Sequence, residues 1–164
     1  MKLFRRFGSR RGDALIEFTL MGLPIIFITT SIVAMGLDMF EFHNLAYATD
    51  STARYISMHG ANGSAITVGN IATYFEGQGI SLSSGVVNLS LTNSAGTVTP
   101  CNPVSSCEGS STVFPDTSHN AEGTNITVSA TYVLKNPIFL LWPPDTVPAS
   151  DFTVGATSTQ LIIY

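Results

Sequence analysis

Between residues 18 and 37 the chain reads FTLMGLPIIFITTSIVAMGL, twenty consecutive positions without an ionisable side chain. As an α-helix, such a run extends about 30 Å, the thickness of a bilayer's hydrocarbon core. Pro24 and Gly22 would break a soluble helix, but a membrane span tolerates both, with a kink expected near Pro24. Past Leu37 the helical period persists. Met39, Phe42, Ala46, Thr49, Ala53 and Ile56 recur at alternating steps of three and four, a narrow packing stripe. Between them Asp38, Glu41, His43, Asn44, Asp50, Ser51 and Arg54 form a solvated face. Gly60 and the following Asn62-Gly63 are stop signals. The pattern predicts one helix from about Ala14 to His59, roughly 70 Å long. Its first half lies in lipid and its second half is the spine of an outer domain.

Beyond Gly60 the chain turns to Gly, Ser, Thr and Asn. Residues 65–76 place Ile71, Ala72 and Phe75 at helical spacing, a short amphipathic helix ended by Gly77 and Gly79. Period-two alternation marks three strands. In 86–92, Val87, Leu89 and Leu91 alternate with Asn88, Ser90 and Thr92. In 125–134, Ile126, Val128, Ala130, Tyr132 and Leu134 alternate mostly with Thr and Ser. Residues 152–164 are rich in β-branched side chains. The interval 93–123 reads as a long loop holding Cys101, Cys107, Pro100, Pro103 and Pro115. Residues 137–144, PIFLLWPP, are apolar and bracketed by prolines, which exclude a central strand. Two roles fit Phe139, Leu141 and Trp142: a contact surface for lipid headgroups or another subunit, or a loop folded over the core. The fold class expected is α+β, a long N-terminal transmembrane α-helix continuing as the spine of a small antiparallel β-sheet domain. Its divisions are 1–12, a basic leader; 13–60, the transmembrane and extracytoplasmic helix; and 61–164, a small extracytoplasmic α+β domain.

Charge orients the span. Charged residues are only 11% of the chain, against about 25% in soluble domains. Five of the seven cations, Lys2, Arg5, Arg6, Arg10 and Arg11, precede Gly12. The eleven acids all follow it, and with Arg54 and Lys135 they leave a formal charge of −9. The positive-inside rule keeps the N-terminus in the cytoplasm and exports the rest. A domain so poor in Lys and Arg is unsuited to nucleic acid, whose phosphates demand them. A secretory signal peptide is the competing reading of the basic head, with Ala34-Met35-Gly36 as a loose cleavage site. The apolar run exceeds the usual length of about 7–15 residues, and Glu17 has no use in one.

That glutamate lies in RRGDALIEFTL, residues 10–20. Gly12 ends the basic head, four residues follow, and Glu17 and Phe18 open the span. The arrangement resembles the cleavage site of type IV pilin precursors, which a prepilin peptidase cuts after the glycine. By that resemblance the bond between Gly12 and Asp13 is cut and Glu17 becomes the fifth mature residue. An ionised carboxylate in the bilayer costs a few kcal/mol. The new amine at Asp13 is one helical turn from Glu17, so pairing with it, or with a neighbour's amine, offsets the cost and sets helix register. The alternative is that Glu17 snorkels to the interface. The stretch EFTLMGLPIIF followed by FHNLAYATDSTARYISMHG further resembles TadE-like minor pilins and pseudopilins of tight-adherence (Tad/Flp) pili. The likeness covers about residues 9–60 and is specific at Gly12, Glu17, Phe18, Pro24 and Ala53 to Tyr55.

The resemblance implies a pilin-like fold in the bacterial inner membrane, with a periplasmic C-terminal domain that can enter an extracellular pilus. The implied partners are the prepilin peptidase, other pilin subunits and the pilus assembly platform. Glu17 and Phe18 would govern assembly and register. Without that family, two other readings stand: an uncleaved, membrane-anchored binding domain, or a secreted domain released by signal peptidase near Leu37.

Little else in the chain carries chemistry. His43, His59 and His119 are scattered, and no zincin, calcium-loop, phosphate-loop or nucleophile-elbow pattern occurs. No enzyme, metal or cofactor is expected. Two cysteines without clustered histidines do not make a zinc site. Cys101 and Cys107 fit a disulfide in an oxidising compartment, with two free thiols as the alternative. The three N-x-S/T matches, at Asn62, Asn88 and Asn125, are chance in so Asn-, Ser- and Thr-rich a chain.

Overall fold

The computed structural model of the protein describes residues 10–59, 66–79, 82, 86–134 and 152–163. Helix α1, Arg10–His59, is unbroken through Pro24 and spans about 75 Å. It begins one turn earlier than the apolar pattern predicts and passes through Gly12. Helix α2 is Val68–Gln78, capped by Thr67, whose hydroxyl accepts from the Asn70 N–H at 3.2 Å. It runs through Gly77 and stops at Gly79. Four strands follow: β1 Val87–Thr92, β2 Val98–Cys101, β3 Asn125–Leu134 and β4 Phe152–Leu161. They form one antiparallel sheet in the order β2-β1-β3-β4. The α+β class and the antiparallel sheet are thus as the alternation implies.

Three expectations change. The interval 93–123 is not a plain loop. It contains β2, a 3-10 turn Val104–Cys107, and a bridge from Val113 back to Thr67. Strand β2 gives no periodic signal because it is four residues long, carries Pro100 and lies at the sheet edge, the one place a proline is tolerated. The β1–β2 turn is set by Asn93, whose Oδ1 accepts from the N–H groups of Ala95 (3.1 Å) and Thr97 (2.9 Å). Gly96 completes it at φ 81°, where a Cβ would strain the backbone.

The packing stripe of α1 is the second change. Its buried residues are Leu45, Ala48, Thr49, Thr52, Ala53, Ile56 and Ser57. Met39 and Phe42 are 63% and 39% exposed, because among the described residues full burial of the α1 face toward the domain begins at Leu45. Thr49, Ala53 and Ile56 are in the core as expected. The third change is at the C-terminal end. Strand β4 stops at Leu161, and Ile162 turns into the core, its N–H bonding the Thr124 carbonyl at 2.9 Å.

The core is one cluster. Leu45, Ala48, Ala53 and Ile56 of α1 meet Val68, Ile71, Ala72 and Phe75 of α2, and Val87, Leu89, Leu91, Ile126, Val128 and Ala130 of the sheet. Alternation puts Asn88, Ser90, Thr92, Thr127, Ser129, Thr131, Thr157 and Thr159 on the opposite face of the sheet. Strand β4 ascends beside α1 in the same direction. Tyr132, paired with Val154, is near Glu41; Ser158 and Gln160 bond Asp50; the Ile163 N–H bonds the Ser57 carbonyl at 3.2 Å.

Candidate membrane and assembly surface

Helix α1 leaves the domain bare. In residues 18–37 every side chain is exposed except those at Gly22, Ser31 and Ala34. Phe18 is 77% exposed, Leu20 71%, Ile32 67% and Met35 72%. A core helix of a soluble protein would bury such residues, and here most of their surface is exposed. Water makes this exposure costly, whereas hydrocarbon removes the cost, at about 25 cal/mol per Å2. The helix is long and apolar enough to cross a membrane.

The polar atoms of this segment support the same reading. Its four hydroxyls all turn back onto the helix. Thr19 donates to the Leu15 carbonyl at 2.7 Å, Thr29 and Thr30 to Ile25 and Ile26 at 2.9 Å, and Ser31 to Phe27 at 2.7 Å. No hydroxyl needs water, as hydrocarbon requires. Pro24 lacks an N–H, so the Leu20 carbonyl loses its helical donor.

Glu17 is exposed at the start of this shaft, in a shallow apolar groove with Phe18, Met21, Gly22 and Ile25. A Cβ at Gly22 would meet only Phe18 Cε1, at 3.9 Å, so the groove is open to a neighbouring helix. Gly12 and Asp13 lie in the first turns of α1 by their backbone, with Asp13 one turn before Glu17. Phe139, Leu141 and Trp142 lie outside the described residues. Cys101 and Cys107 are joined in a disulfide with both residues buried. It ties the edge strand β2 to the 3-10 turn that packs on α2.

Sequence reasoning missed three polar sites. Asp50 is not simply solvated. Its Oδ1 accepts from Ser158 Oγ (2.9 Å) and Gln160 Nε2 (3.3 Å), and its Oδ2 meets Arg54 Nη2 at 2.9 Å. The Arg54 pair is an i,i+4 signal, but the bonds to β4 join residues more than a hundred positions apart and leave no local trace. At the base of the domain, burial pushes the Glu41 carboxyl above its ordinary value, and Asp38 adds repulsion. Burial likewise raises the Tyr132 phenol, with the charge of Glu41 beside it.

The third site joins Asp116, Ser118, His119 and Asn93. His119 Nδ1 lies 2.9 Å from Asp116 Oδ1 and 3.0 Å from Ser118 Oγ. Hydrogen bonds from His119, Ser118 and Asn93 lower the Asp116 carboxyl. Ser, His and Asp here do not form a nucleophilic relay. Acid and hydroxyl share one imidazole nitrogen, while a relay needs one on each. The cluster clasps the turn after Phe114 to the β1–β2 turn through Asn93 Nδ2, 3.2 Å from Asp116. Among the described residues, no three His, Cys, Asp or Glu side chains gather as a metal set.

Comparison with protein-family models, curated proteins and solved structures finds no match for this chain.

Proposed function

We propose that the protein is a minor pilin or pseudopilin of the TadE-like, tight-adherence type. It is inserted with its basic head in the cytoplasm and its domain in the periplasm. A prepilin peptidase cuts after Gly12. The mature helix then packs with those of other pilins to prime, cap or join a filament on the assembly platform. The observation that supports this reading most is one continuous helix. A bare apolar shaft begins at Glu17, and the same helix becomes the buried spine of the domain. Such a helix can slide from lipid into a bundle of like helices without refolding, since both environments cover the same apolar surface.

Within this proposal Glu17 pairs with an α-amino group at Asp13, its own or a neighbour's, and Phe18 packs beside it. Phe139, Leu141 and Trp142 are assigned to lipid headgroups. Trp and Tyr favour the level of the headgroups, and the described ends of β3 and β4 lie at the Glu41 end of the domain.

The deciding measurement is the N-terminal sequence and intact mass of the protein from membranes and from sheared surface filaments. A start at Asp13 that disappears when the prepilin peptidase is inactivated is the expected result. A start at Met1 in a stable, membrane-held protein would replace the proposal with an uncleaved anchored domain; a start near Leu37 would mean secretion. Glu17→Gln is expected to insert and be processed normally yet reduce filaments by tenfold or more, counted by electron microscopy. Normal piliation in that variant would remove the register role of Glu17.

A further inference from the structure

The face of α1 that enters the core continues past the fully buried Leu45 toward the membrane. Steps of four, three, four and three carry it through Glu41, Asp38, Ala34 and Ser31. Glu41, Asp38 and Ser31 are half-buried, and Ala34 is 4% exposed. The bulk of the helix itself does not explain this. Gly36 stands two positions on, about 200° around the helix, and is exposed. A Cβ there would meet nothing within 4 Å. Inside the charge-free run, one side of α1 is thus covered and the opposite side is bare.

The described strands stop short of this stripe. Strand β3 descends beside α1 with Tyr132 near Glu41 and ends two residues later at Leu134, about 7 Å on. Ser31 is ten residues before Glu41, about 15 Å along the helix. Strand β4 starts at Phe152, paired with Leu134, so the chain leaves and re-enters the sheet at one level. Residues 135–151 join those two ends and carry the run PIFLLWPP at 137–144. Half of that connection, extended, reaches about 25 Å. The other chain near this end, Ser83-Ser84-Gly85 ahead of β1, offers no apolar side chain.

We propose that Pro137 to Trp142 lie along the Ser31–Ala34–Asp38 face of α1 as a foot of the domain at the membrane boundary. Three observations select this segment. The burial of Ala34 arises within one chain. Both ends of the connection are fixed at the stripe's upper end. Its run is apolar and uncharged, as a face that dips inside the charge-free run requires. One side of the foot meets α1, and the other, with Trp142, meets headgroups. The foot fixes the angle between domain and span. It also leaves the opposite side of the span free. The Gly22 groove, with Glu17 and Ile25, is centred roughly 170° from Ala34, so a neighbouring helix meets α1 away from the foot. The inference needs the span in a membrane but neither leader cleavage nor a filament.

The test is disulfide cross-linking of the full-length protein in its native membrane. Ala34→Cys is combined in turn with Ile138→Cys, Phe139→Cys, Leu140→Cys and Leu141→Cys. Copper phenanthroline is the oxidant, and linked peptides are read by mass spectrometry. Gly36→Cys with the same four partners is the control. The native cysteines are already bonded to each other. At least one Ala34 pair is expected to link within one chain, at least fivefold above every Gly36 pair. Cells lacking the prepilin peptidase should give the same links, which separates this result from the pilin reading. No Ala34 pair above the control would overturn the foot. So would links from Ala34→Cys solely to a second copy or to another protein. Trp142 is the chain's single tryptophan, so the unaltered protein gives a second measurement. In phosphatidylglycerol–phosphatidylcholine vesicles, lipid brominated near the headgroup end of its chains should quench Trp142 at least twofold more than aqueous iodide. Quenching mainly by iodide would overturn the proposal as well.

Discussion

Glu41 is a carboxyl whose protonation follows how the domain meets α1. Burial, and then Asp38, raise it above its ordinary value near 4.5. The folded chain therefore holds this proton more tightly than the unfolded chain does. Its contribution to stability is greatest below the ordinary value and declines as pH rises through the folded one. Glu41→Gln is accordingly expected to raise the unfolding temperature near pH 7 by a few degrees and to leave it unchanged near pH 4. Thermal melts at the two pH values compare the variants directly, and an equal shift at both would assign the effect to packing. Gly69 depends on space. A Cβ there would stand 2.8 Å from the Ser110 carbonyl oxygen and 2.9 Å from its nitrogen, both backbone atoms that cannot swing away. Gly69→Ala should destabilise the domain by about 2 kcal/mol, separating α2 from the segment after Cys107. Equilibrium denaturation measures that loss.

At the scale of elements, the disulfide and α1 do different work. Strand β2 has four residues, one of them a proline, so its own pairing is weak. Closing a short loop from Cys101 to Cys107 removes chain entropy from the unfolded state, about 2 kcal/mol for a loop of this size. The double variant Cys101→Ser/Cys107→Ser should keep β1, β3 and β4 protected in hydrogen exchange while β2 exchanges early. Equal loss of protection across all four strands would mean that the staple supports the whole sheet. Helix α1 was legible as a helix from about Ala14 onward, because its apolar run and its steps of three and four are local patterns. Which residues of its outer half are covered was not legible. Phe42 is as apolar as Leu45, yet it stays 39% exposed while Leu45 is fully buried. Burial depends on where another element stops, and no residue of α1 records that.

For the whole molecule, the span and the domain share a helix, and among the described residues the span stays mostly exposed. Among residues 18–37 only Ala34 is buried. A chain shortened to begin at Asp38 is expected to be soluble and to unfold within about 5 °C of the full-length protein in detergent. Differential scanning calorimetry on both gives the comparison, and a much larger drop would reveal contacts between span and domain. Independence of this kind is what the proposed function requires: a domain that stays folded while its helix changes surroundings.

The sequence by itself determined what is periodic or contiguous. The charge-free run, the basic head, the Gly12–Glu17 spacing, the alternation of β1 and β3 and the β-branched content of β4 could be read directly, since each depends on neighbours a few positions away. The candidate site was legible to the same extent: Glu17 and Phe18 at the mouth of the shaft, Asp13 one turn before, and two cysteines close enough to join. Tertiary structure alone decided the rest. It placed β2 at one edge and β4 at the other, bonded Asp50 to Ser158 and Gln160, and clasped Asn93 to Asp116. The physical reason is distance along the chain. A local pattern states which face of an element is apolar. Which element covers that face, and which edge stays open, is settled by contacts among many separated residues at once.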